Sequence, residues 1–230
     1  MTDIKLYSAQ VCPFAQRTRL GLLEKNLEAE LVEIDLQDTP DWFHDISPYG
    51  KVPVLERGSD RVVESAIINE YLEEVFPEPP LMPRRPGRRA LARFWIDFAN
   101  TTFVPRYYKL LLEQDPDKQA HHAQRFQDNL RFMEDQGLTK REQGPYWLGP
   151  DPTLVDLAFY PFFERLCVLE HYRGVGVPAN CPRLYDWWNT MRQRESVRRL
   201  MNPPDFYIQR YTHYADGSAS GSTAQEMREA

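Results

Sequence analysis

Residues 4–35 read IKLYSAQVCPFAQRTRLGLLEKNLEAELVEID, and this stretch decides the fold of the first part of the chain. IKLY at 4–7 predicts a short strand, residues 13–25 predict a helix, and AELVEID at 29–35 predicts a second strand with alternating apolar residues. A strand, a helix and a strand at this spacing indicate a parallel pair joined by a right-handed crossover.

The residues after this unit complete a small domain of mixed helices and strands. The further predicted elements are a short irregular helix in DTPDWFHDIS at 38–47, strands in VPVL at 52–55 and RVV at 61–63 around a turn at Gly58, and a helix over 65–75. The order βαβαββα is that of a thioredoxin-like α/β domain, which we assign to residues 1–77.

A proline-rich segment separates this domain from the rest of the chain. FPEPPLMPRRPG at 76–87 contains five prolines, which predict an extended linker over 78–87. The dense basic stretch RRPGRR at 84–89 is interpreted as part of this solvated linker rather than as a nucleic-acid or membrane patch.

The chain after the linker has helical periodicity, and we predict an all-helical domain over 88–214. Its predicted helices cover 88–113, 121–136, 153–169 and 182–193. Thr153 and Asp156 form a capping-box-like pair at the start of the third of these. Residues 215–230, ADGSASGSTAQEMREA, lack the apolar content to pack and predict a mobile tail.

Composition limits the possible functions. The chain has 230 residues, of which 42% are hydrophobic, and a net charge of −6, which argues against a surface that binds nucleic acid. It has no apolar run of the roughly 18 residues that a membrane helix needs, and its polar start MTDIKLYS is unlike a signal peptide, so we expect a cytoplasmic protein. Three cysteines are too few and too scattered for a disulfide framework, and no His/Cys cluster has zinc spacing, so no metal is expected.

Cys12 is the residue that most strongly suggests chemistry. It follows a predicted strand and begins a predicted helix, with Pro13 at the first helical position. The helix dipole and the free N–H groups there favour an anion, so we expect a thiol pKa below about 8.5 and a reactive thiolate. The alternative, a small buried cysteine, fits Cys167 better because that residue lies in an apolar helical segment; Cys181 marks a helix start.

Several segments together resemble a known family. These are CPFAQRTRL at 12–20, PDWFHDISPYGKVPVLE at 40–56, ESA at 64–66 and PFFERLCVLE at 161–170. They resemble the cytosolic glutathione transferases of the omega class and their bacterial relatives, and the similarity runs from Ile4 to about Tyr214. The resemblance implies a glutathione transferase fold, with glutathione as co-substrate.

The resemblance also implies a glutathione-binding site. Phe14 would lie beside the catalytic thiol of Cys12. Val52 would pair its backbone with the cysteinyl part of glutathione, and Pro53 would be cis. Glu64 and Ser65 match the acidic and hydroxyl pair that grips the γ-glutamyl end, which agrees with the anion preference of a helix N-terminus; the alternative for both is plain helix capping.

One position departs from the family pattern. Many omega-class members have a lysine that contacts the glycyl carboxylate of glutathione where this chain has Thr39. Lys51, in YGKVPV, is a candidate to replace it.

A cysteine at the active position favours thiol exchange over conjugation, because it can form a mixed disulfide with glutathione. Since no second cysteine follows at dithiol spacing, we expect a one-cysteine cycle, as in dehydroascorbate reduction, deglutathionylation or reductive removal of glutathione from adducts. A disulfide or electrophilic second substrate would bind between the domains, and family membership implies a homodimer. The candidates for the wall of this second pocket are Tyr107, Tyr108, Arg165, Phe206 and Tyr211, with ordinary helix-bundle core as the alternative.

A function of another class is also open. The segment EVFPEPPLMPRRPGRR at 74–89 resembles the stringent starvation protein A group, which uses this fold to bind RNA polymerase. Cys12 favours the enzyme, because a binding module does not need CPF at a helix N-terminus.

Overall fold

A small sheet with helices forms the first part of the computed structural model, which describes residues 3–141 and 143–229. The strands are β1 (Ile4–Ser8), β2 (Glu30–Glu33), β3 (Val54–Arg57) and β4 (Asp60–Val63), and the helices of this part are α1 (Pro13–Glu24), α2 (Phe43–Ile46) and α3 (Ser65–Val75). The later helices are α4 (Pro86–Phe98), α5 (Val104–Leu112), α6 (Pro116–Phe132), α7 (Leu154–Glu164), α8 (Leu166–Arg173), α9 (Pro182–Gln193), α10 (Glu195–Leu200), α11 (Pro204–Arg210), α12 (Thr212–Ala215) and α13 (Ser222–Glu229).

The strand order in the sheet is β2-β1-β3-β4. β1 and β2 are parallel, whereas β3 is antiparallel to both β1 and β4. The predicted parallel pair and the thioredoxin-like order of elements are therefore confirmed, as is the helical second domain.

Both faces of the sheet are covered. Successive residues of a strand point to opposite faces, so neighbouring residues of β1 belong to different apolar clusters. Leu6 of β1 packs with Leu22, Ile68 and Leu72 of the helices on one face. On the other face, Tyr7 belongs to a second cluster that also contains Cys12. The strand end at Ser8 thus leads directly into the turn that carries the cysteine.

The linker is more tightly held than its composition predicted. Leu81 and Met82 are only 2% and 3% exposed, and their backbone N–H groups donate to the carboxylate of Glu73 at 2.9 and 3.1 Å. Lys25 Nζ pairs with Glu73 at 2.7 Å and donates to the carbonyl of Pro79 at 3.0 Å. The predicted linker is therefore buried at Leu81 and Met82, whereas Arg84 and Arg85 of the basic stretch are exposed, as expected for a solvated segment.

The first long helix predicted in the second domain is interrupted. A π-helical turn at Ala99–Phe103 separates α4 from α5. Pro105, in the first turn of α5, has no N–H to donate and its ring would collide with the carbonyl four residues earlier, and the wider turn accommodates both effects.

The predicted helix over 153–169 is also divided, into α7 and α8 at Arg165. The backbone N–H of Arg165 donates to Phe162 O at 3.2 Å, which frees the carbonyl of Pro161. The side chain of Arg165 satisfies that carbonyl, at 2.7 Å. The predicted pair at the start of α7 is confirmed, since the carboxylate of Asp156 accepts from the N–H and the hydroxyl of Thr153 at 2.7 and 2.9 Å.

The C-terminal segment differs from the prediction of a mobile, unpacked tail. Residues 222–229 form α13, and Ala224 on this helix is fully buried against the core of the helical domain. One alanine and one methionine in TAQEM, at 223–227, supply enough apolar surface for one face of a short helix. Over residues 3–141 and 143–229, no helix is both long and apolar enough to cross a membrane.

Candidate active site

A cavity of about 550 Å³ lies where the thioredoxin-like domain faces the helical domain. Seven residues predicted to bind glutathione or to catalyse line it: Cys12, Phe14, Lys51, Val52, Pro53, Glu64 and Ser65. The structure thus brings together residues from three separate segments of the sequence.

Cys12 is the N-cap residue of α1, and its side chain takes part in the cap. The Sγ atom accepts a hydrogen bond from the backbone N–H of Ala15 at 3.5 Å. The thiol lies 3.8 Å from the carbonyl oxygen of Val52, the residue before Pro53. The Val52–Pro53 peptide bond is cis, as the resemblance implied, and a second cis bond joins Glu78 to Pro79.

The shift in the pKa of Cys12 is opposite to the expected one. Burial raises the pKa of its thiol above the ordinary value, because the side chain is only 8% exposed. The N–H groups of Ala15 and Phe14 and the guanidinium groups of Arg165 and Arg17 act in the opposite direction but do not outweigh burial. The expectation of a lowered pKa is therefore wrong for this structure, because it assumed a partly exposed thiol.

Arg17 is a second buried cation beside the cavity. It is 1% exposed, its Nε donates to Ala158 O at 2.8 Å, and its Nη1 donates to Asn100 Oδ1 at 2.7 Å. Among the side chains that the structure describes, its Nη2 has no hydrogen-bond partner. Asn100 lies in the π-helical turn, which therefore places a polar side chain at the cavity.

The start of α3 brings an acidic and a hydroxyl side chain to the cavity. Glu64 is the N-cap residue, with a positive φ of 69°, and its side chain is exposed. Ser65 is buried and its Oγ lies 3.5 Å from Arg17 Nη1. Ser65 is therefore the first helical residue rather than the cap, and the helix has no side-chain cap bond. A non-glycine residue held at positive φ is typical of a functional constraint.

Lys51 is the cation at the other end of the cavity. The hydroxyl of Ser47 holds its loop by donating to Lys51 O and accepting from Lys51 N–H, both at 2.8 Å. Thr39 and His44 line the same part of the cavity. The Lys51 ammonium forms an ion pair with Glu226 of α13.

The five residues proposed for the second-substrate wall do not line this cavity. Tyr107 and Arg165 are fully buried, Tyr108 and Tyr211 are 2% and 3% exposed, and Phe206 is half-buried against the helical core. Arg165 is held by carbonyl groups and lies over the ring of Tyr207 at 4.3 Å. These side chains fit the alternative of helix-bundle core.

Other side chains line the cavity instead of these five. The residues of the cavity that sequence analysis did not single out include Arg17, Asn100, Val104, Tyr214, Thr223, Glu226 and Met227. Arg17 was visible as a cation within CPFAQRTR, one turn along the helix from Pro13. The residues of α13 carried a weaker signal, since their segment is rich in small and polar residues.

The described residues contain no group of three or more His, Cys, Asp or Glu side chains that could hold a metal ion. Cys12 contributes a free, oxidisable thiol to the cavity.

Comparison with known proteins agrees with this geometry. Residues 6–80 match the family model of the glutathione S-transferase N-terminal domain, and residues 90–188 match that of the C-terminal domain. Mouse glutathione S-transferase omega-1 is 33% identical over 83% of this chain and 77% of its own length. The chain belongs to the glutathione S-transferase family and is an enzyme of that family.

Solved structures compare the chain with particular classes within this family. Glutathione transferase Omega 3C from Trametes versicolor has a TM-score of 0.84 and 33% identity, covering 94% of this chain and 91% of that one. Rice GST1 in complex with glutathione has a TM-score of 0.81 and 29% identity, covering 90% and 96%. The predicted similarity to the omega class is confirmed.

Proposed function

We propose that this enzyme is a glutathione-dependent thiol transferase in which Cys12 alone carries the exchange. The observation that carries the proposal is the position of the Cys12 thiol, at the N-cap of α1 in the cavity and beside the carbonyl of Val52. A hydroxyl at this place could only support a bound glutathione thiolate, whereas a cysteine can also bond to it.

Glutathione fits the cavity in one direction. The γ-glutamyl end lies at the start of α3, where Ser65 and the free N–H groups receive its carboxylate and Glu64 pairs with its ammonium. The cysteinyl part pairs with the backbone of Val52, and the glycyl carboxylate lies toward Lys51. This placement is supported by the lining of the cavity and by the similarity to rice GST1, a complex with glutathione.

The proposed cycle has two exchange steps. The Cys12 thiolate attacks the glutathione sulfur of a mixed disulfide, forms a disulfide with glutathione and releases the other sulfur as a thiolate that takes up a proton. A second glutathione, as thiolate, then attacks the glutathione sulfur bound to Cys12. Oxidised glutathione leaves, and the Cys12 thiolate is restored.

The second substrate binds between the domains. Phe14, Val104, Tyr214 and Met227 give the cavity apolar and aromatic surface close to Cys12. This surface suits a flat apolar or disulfide-bearing acceptor better than a strongly charged one.

Replacement of Cys12 by serine tests the proposal. Wild type and Cys12→Ser are assayed with hydroxyethyl disulfide, dehydroascorbate and a chloronitrobenzene, with Cys167→Ser as the matched control. Cys167 is half-buried and does not line the cavity, so its loss is expected to leave turnover unchanged. Disulfide and dehydroascorbate turnover should disappear in Cys12→Ser, while conjugation survives or rises. Equal reductase activity in wild type and Cys12→Ser would refute the one-cysteine cycle.

We also propose a homodimer that uses exposed faces of α3 and α4. Ile67 is 58% exposed and Phe94 is 49% exposed. The two helices are tied together by the ion pair between Glu70 and Arg93 at 2.7 Å, which brings these apolar side chains onto one surface. A second copy of the chain would cover them.

The cytoplasm is the proposed location. A cycle that consumes one free glutathione for each mixed disulfide reduced needs a compartment in which glutathione is kept reduced.

A further inference from the structure

The C-terminal helix α13 contributes a wall of the glutathione cavity. Thr223, Glu226 and Met227 line it, while Ala224 on the other face is fully buried in the helical core. Arg228 donates to the carbonyls of Gly217 and Ala219, which ties the helix to the turn before it. The helix is thus packed in place and not merely adjacent to the site.

The turn before α13 is itself anchored to the helical domain. Gln114 Nε2 and Arg173 Nη2 both donate to the carbonyl of Ala215, at 3.1 and 2.7 Å. The position of α13 is therefore set by the helical domain, and Glu226 reaches from it to the thioredoxin-like domain.

Glu226 forms an ion pair with Lys51, the cation assigned to the glycyl carboxylate of glutathione. Glu226 presents a carboxylate, as does the glycyl end of glutathione. A bound glutathione and Glu226 therefore require the same ammonium group of Lys51. Thr39, which also lines the cavity, supplies no second cation, and its hydroxyl donates to Asp35 O at 3.3 Å.

We propose that Glu226 is a specificity-determining residue that competes with the glycyl carboxylate of glutathione for Lys51. This inference rests on the proposed function, since it needs glutathione in the cavity. Glutathione must displace Glu226 from Lys51, whereas a thiol ligand with a neutral end leaves the ion pair intact. Glu226 thereby reduces the advantage that free glutathione has over derivatives esterified or extended at the glycyl end, and it favours acceptance of such derivatives.

The solvent exposure of the Lys51–Glu226 ion pair sets the size of the expected effect on glutathione binding. The side chains of Lys51 and Glu226 are 28% and 55% exposed, so their attraction is weakened by solvent and salt. Exposed pairs of this kind correspond to a change in binding of about two- to five-fold. The effect should shrink at high ionic strength.

The experiment measures dissociation constants for glutathione and for its glycyl monoethyl ester by calorimetry. The proteins are wild type, Glu226→Gln, Lys51→Gln, the double variant, and Glu30→Gln as control. Glu30 pairs with Lys5 at 3.1 Å on the exposed strand β2, so its variant removes the same charge away from the cavity. Thermal unfolding of each protein checks that α13 and the fold persist.

Glu226→Gln should bind glutathione about two- to five-fold more tightly and the ester equally well. It should have no effect in the Lys51→Gln background, and Glu30→Gln should match wild type. If Lys51→Gln weakens glutathione binding but Glu226→Gln does not strengthen it, the inference is overturned while the proposed function stands. Equal gains for glutathione and the ester would overturn it as well. A wild-type protein that binds neither ligand would contradict the proposed function itself.

Discussion

Arg165 Nη2 donates a hydrogen bond to the carbonyl oxygen of Val11 at 3.0 Å, and Val11 immediately precedes the site cysteine. The same guanidinium donates to Gln16 Oε1 at 2.6 Å, on the first turns of α1. The helical domain therefore holds the turn that positions Cys12. Arg165 acts on the site through the backbone of Val11 and through its charge, which lowers the pKa of the Cys12 thiol, and not as a wall of the cavity.

Replacing Arg165 by methionine should destabilise the protein on the order of 3 kcal/mol, because the carbonyls of Val11 and Pro161 lose their buried donor. It should also shift the alkylation of Cys12 to higher pH, since Arg165 lowers the pKa of that thiol. Urea unfolding and iodoacetamide kinetics measure the two effects. The exposed Arg199→Met is the control, and an unshifted alkylation profile in Arg165→Met would contradict the electrostatic role.

Alkylation of Cys12 in wild type should have its midpoint at a higher pH than that of N-acetylcysteine measured in parallel. Burial raises the pKa of the Cys12 thiol, so the reactive thiolate forms later as pH rises. By the same linkage, the stability contributed by the neutral thiol is present below the pKa of the unfolded chain and is lost as pH rises through the folded pKa. Peptide-resolved mass spectrometry follows Cys12 separately from Cys167 and Cys181. A midpoint below that of N-acetylcysteine would contradict burial as the dominant influence on the pKa of Cys12.

Ser65→Ala should weaken glutathione binding on the order of 1.5 to 3 kcal/mol, because it removes a buried hydroxyl from the proposed carboxylate site. The free energy of unfolding should change little, since the helix has no side-chain cap bond to lose. Calorimetry with glutathione and urea unfolding separate the two quantities. Normal binding combined with a destabilised fold would reduce Ser65 to a structural residue.

Asp156→Ala should destabilise the fold on the order of 3 to 5 kcal/mol. The carboxylate of Asp156 is fully buried and also accepts from Trp147 N–H and Trp187 Nε1, both at 2.8 Å, so its loss leaves several buried donors without an acceptor. Urea unfolding followed by tryptophan fluorescence measures this. The neighbouring exposed Asp151→Ala should be nearly neutral, and similar losses in both variants would argue against the network.

Phe94→Glu should convert the proposed dimer into a monomer, because it places a charge on an apolar contact surface. Sedimentation velocity gives the mass in solution. The charge change at Ala90→Glu, also exposed on α4, is the matched control. A wild-type monomer would remove the proposal, and a Phe94→Glu dimer would place the interface elsewhere.

The N-terminal domain was largely predictable, because short strands and capped helices leave local signals. The helix over 65–75 was predicted with the bounds that the structure gives to α3, and the resemblance supplied the cis bond before Pro53. The interruption of the helix over 88–113 was missed, although Pro105 was a local signal for it. Periodicity continues across a π-helical turn, since a single added residue does not remove the apolar face.

The second-substrate residues were less accessible to sequence reasoning. An aromatic side chain on a helix has the same periodicity whether it faces a core or a cavity, so Tyr108 and Tyr214 could not be told apart. Which of these two tyrosines lines the cavity depends on α13, whose position is fixed by distant contacts such as that of Arg173 with Ala215 O. The direction of the Cys12 pKa likewise depends on how deeply the thiol is buried, which local sequence does not determine.

Lys25 and Glu73 fasten the linker, and through it they couple the unfolding of the two domains. Glu73 holds the backbone of Leu81, and the carbonyl of Leu81 accepts from Leu154 N–H at 2.8 Å, at the start of α7. Loss of either domain would therefore break buried hydrogen bonds of the other. We expect one cooperative melting transition and little cleavage of the proline-rich segment by proteases under native conditions. A fragment ending at residue 77 would lack these partners and should not persist as an independently folded domain.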